Sequence, residues 1–588
     1  MRSKIYITYQ ELFNRYPTIE ELKGIMAGLN SSHTVLLAAR LSTMFRHSFS
    51  KHDPREEFKL QAWFVNNFFD EETKKRLMDR FGNQHPSHRP VCHPLQLLNI
   101  MRLALTLGKE GEPLDDPGTV DQLRTGIGTA SLMISDIFCT PEEKEHIQKG
   151  TPDERMKHLM LQLLVAGEIS NPTAFRNLLF RSHFIYRIAL QDPKLVSRIE
   201  KECEGLNFEK KFEEVVGIPL AGWLSLVTGL YTHLISHTLE EFVNNPAVFA
   251  VNRKTILKNP ALSEAQVNSF FDPLSTNFDE LRKEFKEERH VDERFDLVPF
   301  MAKPFINFAP DNCACVDVAL LSEKLNNGPY FLLSTLLPKD KREPVFRAWG
   351  ILFEAYVNWL LEGLAGRHGA VFYPDTHWEA NGNKSFDAIF VKSRLLAVME
   401  FKSGFLKQEV RYSNDLNTFM TELDSRLGVG CKQLARDTSQ LLPETGNRKK
   451  LSGIPIPSKV EWVMPILVVQ DPILRTPFIN YFLNQQFQAE RKRFPVDGKV
   501  EVLPLNVIHI STLEDLVERA ESLNWDVISI LHRRCRSDGS MAKELQSFIS
   551  ELPEAKQPCC SERFRQLFER SQDEVHAVLF KDEPQKNS

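Results

Sequence analysis

Apolar residues recur every three or four positions through most of the first 295 residues. That spacing gathers them on one face of a helix. It predicts helices over residues 9–16, 18–29, 34–44, 56–69 and 71–81, then over 95–107, 126–138, 155–164, 171–191 and 212–242. Thr18 and Asp70, each followed by acids, read as helix starts. No repeat of fixed period joins these helices. The expected unit is an all-α N-terminal domain, residues 1–295. It ends after 279–296, a mixed-charge stretch that reads as a solvated helix. Residues 296–344 read as a connecting segment with a hairpin between 304–308 and 315–317.

The pattern changes after residue 345. A strong amphipathic helix is predicted over 345–364, with Trp349, Phe353, Tyr356 and Leu360 as its apolar stripe. Glu354 lies off that stripe, one turn after Gly350. Strands are predicted near 370–373 and over 385–391 and 395–402, followed by a helix over 429–442. Residues 460–469 and 500–510 read as buried strands flanking a helix at 477–487, a unit that would extend a sheet. Helices over 512–523 and 561–568 close the α/β domain expected at 345–588.

The two strands at 385–402 carry the chemistry. If Ser393-Arg394 is a two-residue turn, Lys392 pairs with Leu395 and Asp387 falls opposite Glu400. Lys402, two residues on, shares that face. Ala388, Phe390, Ala397, Met399 and Phe401 then face a core. Adjacent carboxylates resist joint ionisation. A hard divalent cation removes that penalty, and Mg²⁺ would sit about 2.0–2.1 Å from its oxygen ligands. A lysine beside it can hold water or a phosphate. The bland alternative is a surface ion pair, because Glu-x-Lys is a common tripeptide.

The order of a helix with Glu354, a strand, a strand with Asp387, a strand ending in Glu400-x-Lys402 and a helix with Gln433 resembles the restriction-endonuclease-like PD-(D/E)XK nuclease superfamily. The resemblance covers the C-terminal two-fifths of the chain. It implies an α/β fold around a central mixed β-sheet and a Mg²⁺-dependent endonuclease, with Mn²⁺ as a substitute. By resemblance, Asp387 and Glu400 would bind the metal directly, and Glu354 through water or at a second metal. Lys402 would position the attacking water, and Gln433 would orient the lysine or the nucleic-acid backbone. Asp387 follows Phe386 rather than proline. The literal Pro-Asp pair is Pro374-Asp375, so Asp375 is the second choice for the metal-binding aspartate. DNA is the expected substrate before RNA, and restriction or antiviral defence a common setting for such fusions. The N-terminal helices would then sense a trigger, bind a protein partner or form a homo-oligomer. The alternative is a silent nuclease fold kept for binding nucleic acid or protein.

Composition narrows this picture without redirecting it. At 588 residues and 67.7 kDa, the chain is long enough for more than one domain. A net charge of -5 announces no global nucleic-acid binder, so any phosphate-binding surface must be local. Arg411, Arg426, Lys432, Arg436 and residues 448–450 supply positive charge on the expected side, and 403–424 reads as a flap. Nine cysteines without a C-x-x-C pair suggest a reduced, cytoplasmic protein. The first ten residues lack the apolar core of a signal peptide. Residues 215–235 are apolar enough to raise a membrane span, but Pro219 and interspersed glycines favour a buried helix. His85, His88, Cys92 and His93 could suggest zinc, although the proline-rich spacing reads better as a loop. With no phosphate-binding loop of the Walker type, ATP-driven translocation is not expected.

Overall fold

A computed structural model describes residues 6–50, 54–82, 89–110, 117–137, 143, 145, 149–170, 172–256, 262–287, 291–445, 448–537 and 539–579. The chain is a multidomain helical and α/β protein with two mixed sheets. Helices make up most of the described residues before 246, and Thr18 and Asp70 start two of them as predicted. Thr18 caps Ile19–Gly28 in a reciprocal box with Glu21, and Asp70 caps Glu71–Phe81 through the Thr73 amide. The helix expected over 212–242 is instead three: Phe208–Val216, Leu220–Ile235 and Leu239–Asn244. Gly217 adopts φ +86° and Pro219 sits at the next helix boundary, so the first two axes diverge by 69°. A side chain at 217 would also strike Ser269 Oγ at 2.6 Å. Among the described residues no single helix is long and apolar enough to cross a membrane; only this bent pair, taken together, has the length and composition. Trp223, Leu226 and Val227 of its second arm are buried.

The helical region is not wholly α. Strands β1 (Ala250–Asn252) and β2 (Ser275–Asn277) pair with β3 (Phe305–Ala309) and β4 (Asn312–Cys315) in a small sheet ordered β1-β4-β3-β2. Three-residue strands are too short to leave a periodic signal. The hairpin expected between 304–308 and 315–317 is β3–β4, but its second strand ends at Cys315 and Asp317 instead caps the helix Val318–Asn326; Cys313 and Cys315 are buried in the hairpin. Of the proline-rich histidine cluster, His85 and His88 fall outside the described residues. Buried His93 caps the helix Pro94–Leu107.

The larger sheet contains β5 (Val371–Pro374), β6 (Ala388–Lys392), β7 (Leu395–Lys402), β8 (Trp462–Val469), β9 (Glu501–Val502) and β10 (Asn506–His509). Its order is β10-β8-β7-β6-β5, with β9 beside β8. β5, β6 and β7 run antiparallel; β7, β8 and β10 run parallel. The single strand expected at 500–510 is divided around Pro504, which has no amide proton to give a ladder.

Both faces of this sheet are covered. Ala388, Phe390, Ala397, Met399 and Phe401 share a core with Trp349, Phe353, Tyr356 and Leu360 of the helix Glu343–Glu362. Ile389, Leu396 and Val398 pack against Leu434 and Phe482, from the helices Val429–Leu441 and Ile479–Arg493. The first core continues without interruption to Leu178, Ile185, Trp223 and Leu226. Apolar packing therefore crosses residue 295, the expected end of the helical domain. Another crossing is polar: buried Arg46 pairs with Asp317 at 2.8 Å.

Candidate active site

The hairpin of β6 and β7 turns at Ser393 and Arg394, with Ser393 at φ +53°. Its register runs from Lys392 opposite Leu395 to Ala388 opposite Met399. The next pair along is Asp387 and Glu400. The Asp387 amide donates to Met399 O at 3.0 Å, and the Phe401 amide donates to Asp387 Oδ2 at 2.6 Å. On its other side β7 pairs with β8, which sets Glu400 beside Leu467 and Lys402 beside Val469. Glu400 is thus central in the sheet and only 1% exposed.

The two Glu400 oxygens have different surroundings. Oε2 accepts from Lys402 Nζ at 3.3 Å. Oε1 is buried with no hydrogen-bond partner among the described residues. Burial first, and the charge of Asp387 second, push this carboxyl well above its ordinary pKa, against the opposing pull of Lys402. Lys402 is held from behind by Val429–Leu441. Gly430 of that helix has no side chain to spare: a Cβ there would lie 3.0 Å from Lys402 Cε and 2.9 Å from Leu467 Cδ1.

Asp387, Glu400, Lys402, Glu354 and Gln433 all line one cleft of about 570 Å³, together with Arg347, Gly350 and Ser403. Gly350 leaves the floor open, since the nearest atom to a Cβ there is Ser403 Oγ at 3.7 Å. Gln433 Nε2 donates to Ser385 O at 3.4 Å, so its bond runs to the chain entering β6 and not to the lysine. Glu354 is bound at both oxygens, by Lys384 Nζ at 2.9 Å and by Arg198 Nη2 at 3.4 Å. Asp375 directly follows β5 at φ +47° with a half-exposed side chain; it lies outside the cleft lining and one strand further from Glu400 than Asp387.

Lys384 and Arg198 are the residues that sequence reasoning missed. Lys384 Nζ lies 2.8 Å from Asp387 Oδ1 as well as 2.9 Å from Glu354 Oε1. Burial disfavours its charge, yet the two carboxylates hold its pKa above the usual lysine value. No spacing rule points to it, because a turn between β5 and β6 delivers it. Arg198 arrives from the helix Pro193–Glu202, which the sequence places in a separate domain.

The expected basic residues are mostly committed elsewhere. Arg411 is buried and pairs with Asp471 at 2.5 Å. Its segment carries the helices Gln408–Arg411 and Leu416–Leu423, and the Leu406 amide is also held by Asp471, so this part of the expected flap is anchored. Arg426 pairs with Glu422, Arg436 with Asp437, and Lys432 stands 4.0 Å from Asp424. Lys449 bonds Gln440 and lies over the Trp378 ring.

Asp387 and Glu400 offer hard oxygen donors suited to Mg²⁺ or Mn²⁺, and the unpartnered Oε1 is an acceptor that a cation would satisfy. Among the described residues no three His, Cys, Asp or Glu side chains converge as a ready ligand set. Lys384 stands between Glu354 and Asp387. A cation held by two carboxylates would complete its shell with water and substrate phosphate, which is the usual habit of Mg²⁺. No model of a known protein family, no curated protein and no solved structure matches the chain.

Proposed function

We propose that this chain is a metal-dependent nuclease of the PD-(D/E)XK type, hydrolysing phosphodiester bonds in DNA. The observation that carries the reading is Glu400: an acid 1% exposed, with one orphaned oxygen, beside Asp387 and Lys402 at the wall of an open cleft. Such an arrangement is costly in a protein with no cation to bind. The succession helix, β5, β6, β7, helix, β8 supports the finer fold reading, since it follows the order that defines the superfamily.

A divalent cation on Asp387 and Glu400 would supply a polarised phosphate and an acidified water. The chain's own groups do the rest. The Phe401 amide fixes Asp387, while Lys402 presents an ammonium that can hold a water or steady charge on a phosphate oxygen. A nucleic-acid substrate is supported by Phe331 and Phe346, which are 39% and 40% exposed and belong to a ring cluster with Tyr330 and Phe405. Bases stack on such faces. Phe346 adjoins Arg347, and Phe405 lies two residues past Ser403, both cleft residues.

A second reading, a silent fold used for binding, draws support from Lys384, whose ammonium already compensates the acids. Cleavage assays separate the two. Purified protein and its Lys402→Ala variant meet linear, circular and single-stranded DNA, and RNA, with Mg²⁺, Mn²⁺ or EDTA. The nuclease reading expects metal-dependent cleavage that falls by about 100-fold or more in the variant. Equal cleavage by both proteins, or binding without cleavage in any metal, would sink it.

A further inference from the structure

The Lys384 ammonium lies 2.8 Å from Asp387 Oδ1, 2.9 Å from Glu354 Oε1 and 3.7 Å from Asp375 Oδ1. The three acids come from different places: the chain just before β6, the helix Glu343–Glu362 and the chain just after β5. An ammonium has three donors, so it can serve all three. The remaining oxygens are occupied differently. Asp387 Oδ2 takes the Phe401 amide, and Glu354 Oε2 faces Arg198. Lys384 therefore covers the oxygens of Asp387 and Glu354 that those partners leave over.

We propose that Lys384 is a tethered counter-ion of this centre, which holds Asp387 and Glu354 together without metal and competes with a divalent cation for them. The inference rests on the metal-dependent reading above. Its physical basis is charge and reach. Asp387 Oδ1 cannot bind an ammonium and a dication at once. A lysine is a flexible, strongly hydrated point charge, so it can leave for water. One third of the Lys384 side chain is already exposed. Its backbone need not move, because the turn that carries it is pinned. Thr376 Oγ1 and Ser385 Oγ bond at 2.7 Å, and the Trp378 amide donates to Asn383 O at 2.9 Å. Entry of the cation then requires only that the side chain swing aside. Lys384 is a positioning residue here: it sets how tightly the acids take the ion and keeps them from repelling each other before it arrives.

Calorimetric titration of EDTA-stripped, full-length protein with Mn²⁺ tests this, with wild type compared to Lys384→Met and Lys384→Gln. Thermal melts with and without Mn²⁺ accompany each titration, and Glu400→Gln serves to locate the ion. The expected result is binding about tenfold tighter or more in both Lys384 variants, because a competing unit charge has been removed. Their melts should fall below wild type without metal and recover in saturating Mn²⁺. Equal Mn²⁺ affinity in wild type and a folded variant would overturn the proposal and leave Lys384 an ordinary ion pair. Should no Mn²⁺ bind to wild type or either variant, the metal reading itself falls and this inference with it. Using two replacements, one apolar and one polar, guards against a single variant that fails to fold.

Discussion

Glu400 is a residue whose environment serves stability poorly. Its Oε1 has no partner, and its carboxyl is pushed upward by burial and by Asp387. At pH values between the unfolded and the raised folded value, the folded, metal-free protein therefore binds more proton at this carboxyl than the unfolded chain does. That contribution is full below the unfolded carboxyl value, near 4.3, and is lost as pH rises through the higher folded value. An amide needs no such proton. Glu400→Gln should melt higher than wild type in EDTA at pH 8, by roughly 1–3 kcal/mol, and the gap should shrink towards pH 5. Paired thermal melts at the two values check this; a gap that widens on acidification would contradict the assignment. At this scale the register of the hairpin, Lys392 opposite Leu395, was legible in the sequence, and it brings Asp387, Glu400 and Lys402 to one cleft. The sequence was silent on Lys384, because its position depends on how a turn folds back. It misjudged Arg411, because a charged side chain gives no sign that it is buried against Asp471.

Among elements, the helix Val429–Leu441 decides where Lys402 can sit. Gly430 lets that helix approach β7, and a methyl group there meets Lys402 and Leu467 at 3.0 and 2.9 Å. Alanine gains about 1 kcal/mol of helix preference over glycine, whereas overpacking costs about 1–3 kcal/mol. Gly430→Ala should thus destabilise the protein by a net amount on the order of 1 kcal/mol. It should also lower the rate of any cleavage more than it weakens substrate binding, because it displaces Lys402. Urea unfolding and a comparison of kcat with KM measure the two effects. The stripe of Trp349, Phe353, Tyr356 and Leu360 was readable since one period runs through the whole helix and all four are buried. The break between Phe208–Val216 and Leu220–Ile235 was marked by Gly217 and Pro219, but the apolar run on either side outweighed them in a reading by hydrophobicity.

For the whole molecule, the chief departure is that the sheet does not own its core. Arg181, from the helix Phe175–His183, pairs at 2.9 Å with buried Glu514 in Ile510–Leu523, and Tyr356 donates to the same carboxylate at 2.8 Å. Removing one partner of a buried pair costs about 3–5 kcal/mol. Arg181→Met should lower stability on that scale, as read by urea unfolding. A fragment of residues 296–588 lacks Arg181 together with Leu178, Ile185, Trp223 and Leu226 of the shared core. It should fail to give a cooperative melt, and a sharp two-state transition from that fragment would count against the shared core. Long-range packing of this kind leaves no mark on local periodicity, so a boundary set at the end of the mixed-charge stretch 279–296 takes no account of it.

The parallel pairing of β7 with β8 also bears on how the protein is made. Glu400 lies in the middle of the sheet only because β8 covers the far side of its strand, and β8 begins 60 residues after β7 ends, at Trp462. Synthesis runs from the N-terminus, and the chain folds as it emerges. While the ribosome is still short of β8, β7 is an edge strand and Glu400 stands open on one side. A polypeptide released after Lys402 but before Trp462 carries all of Glu354, Asp387, Glu400 and Lys402 yet cannot close the wall around them. The chemistry is encoded well before the end of the message, but the site that would use it exists only in a chain translated past β8.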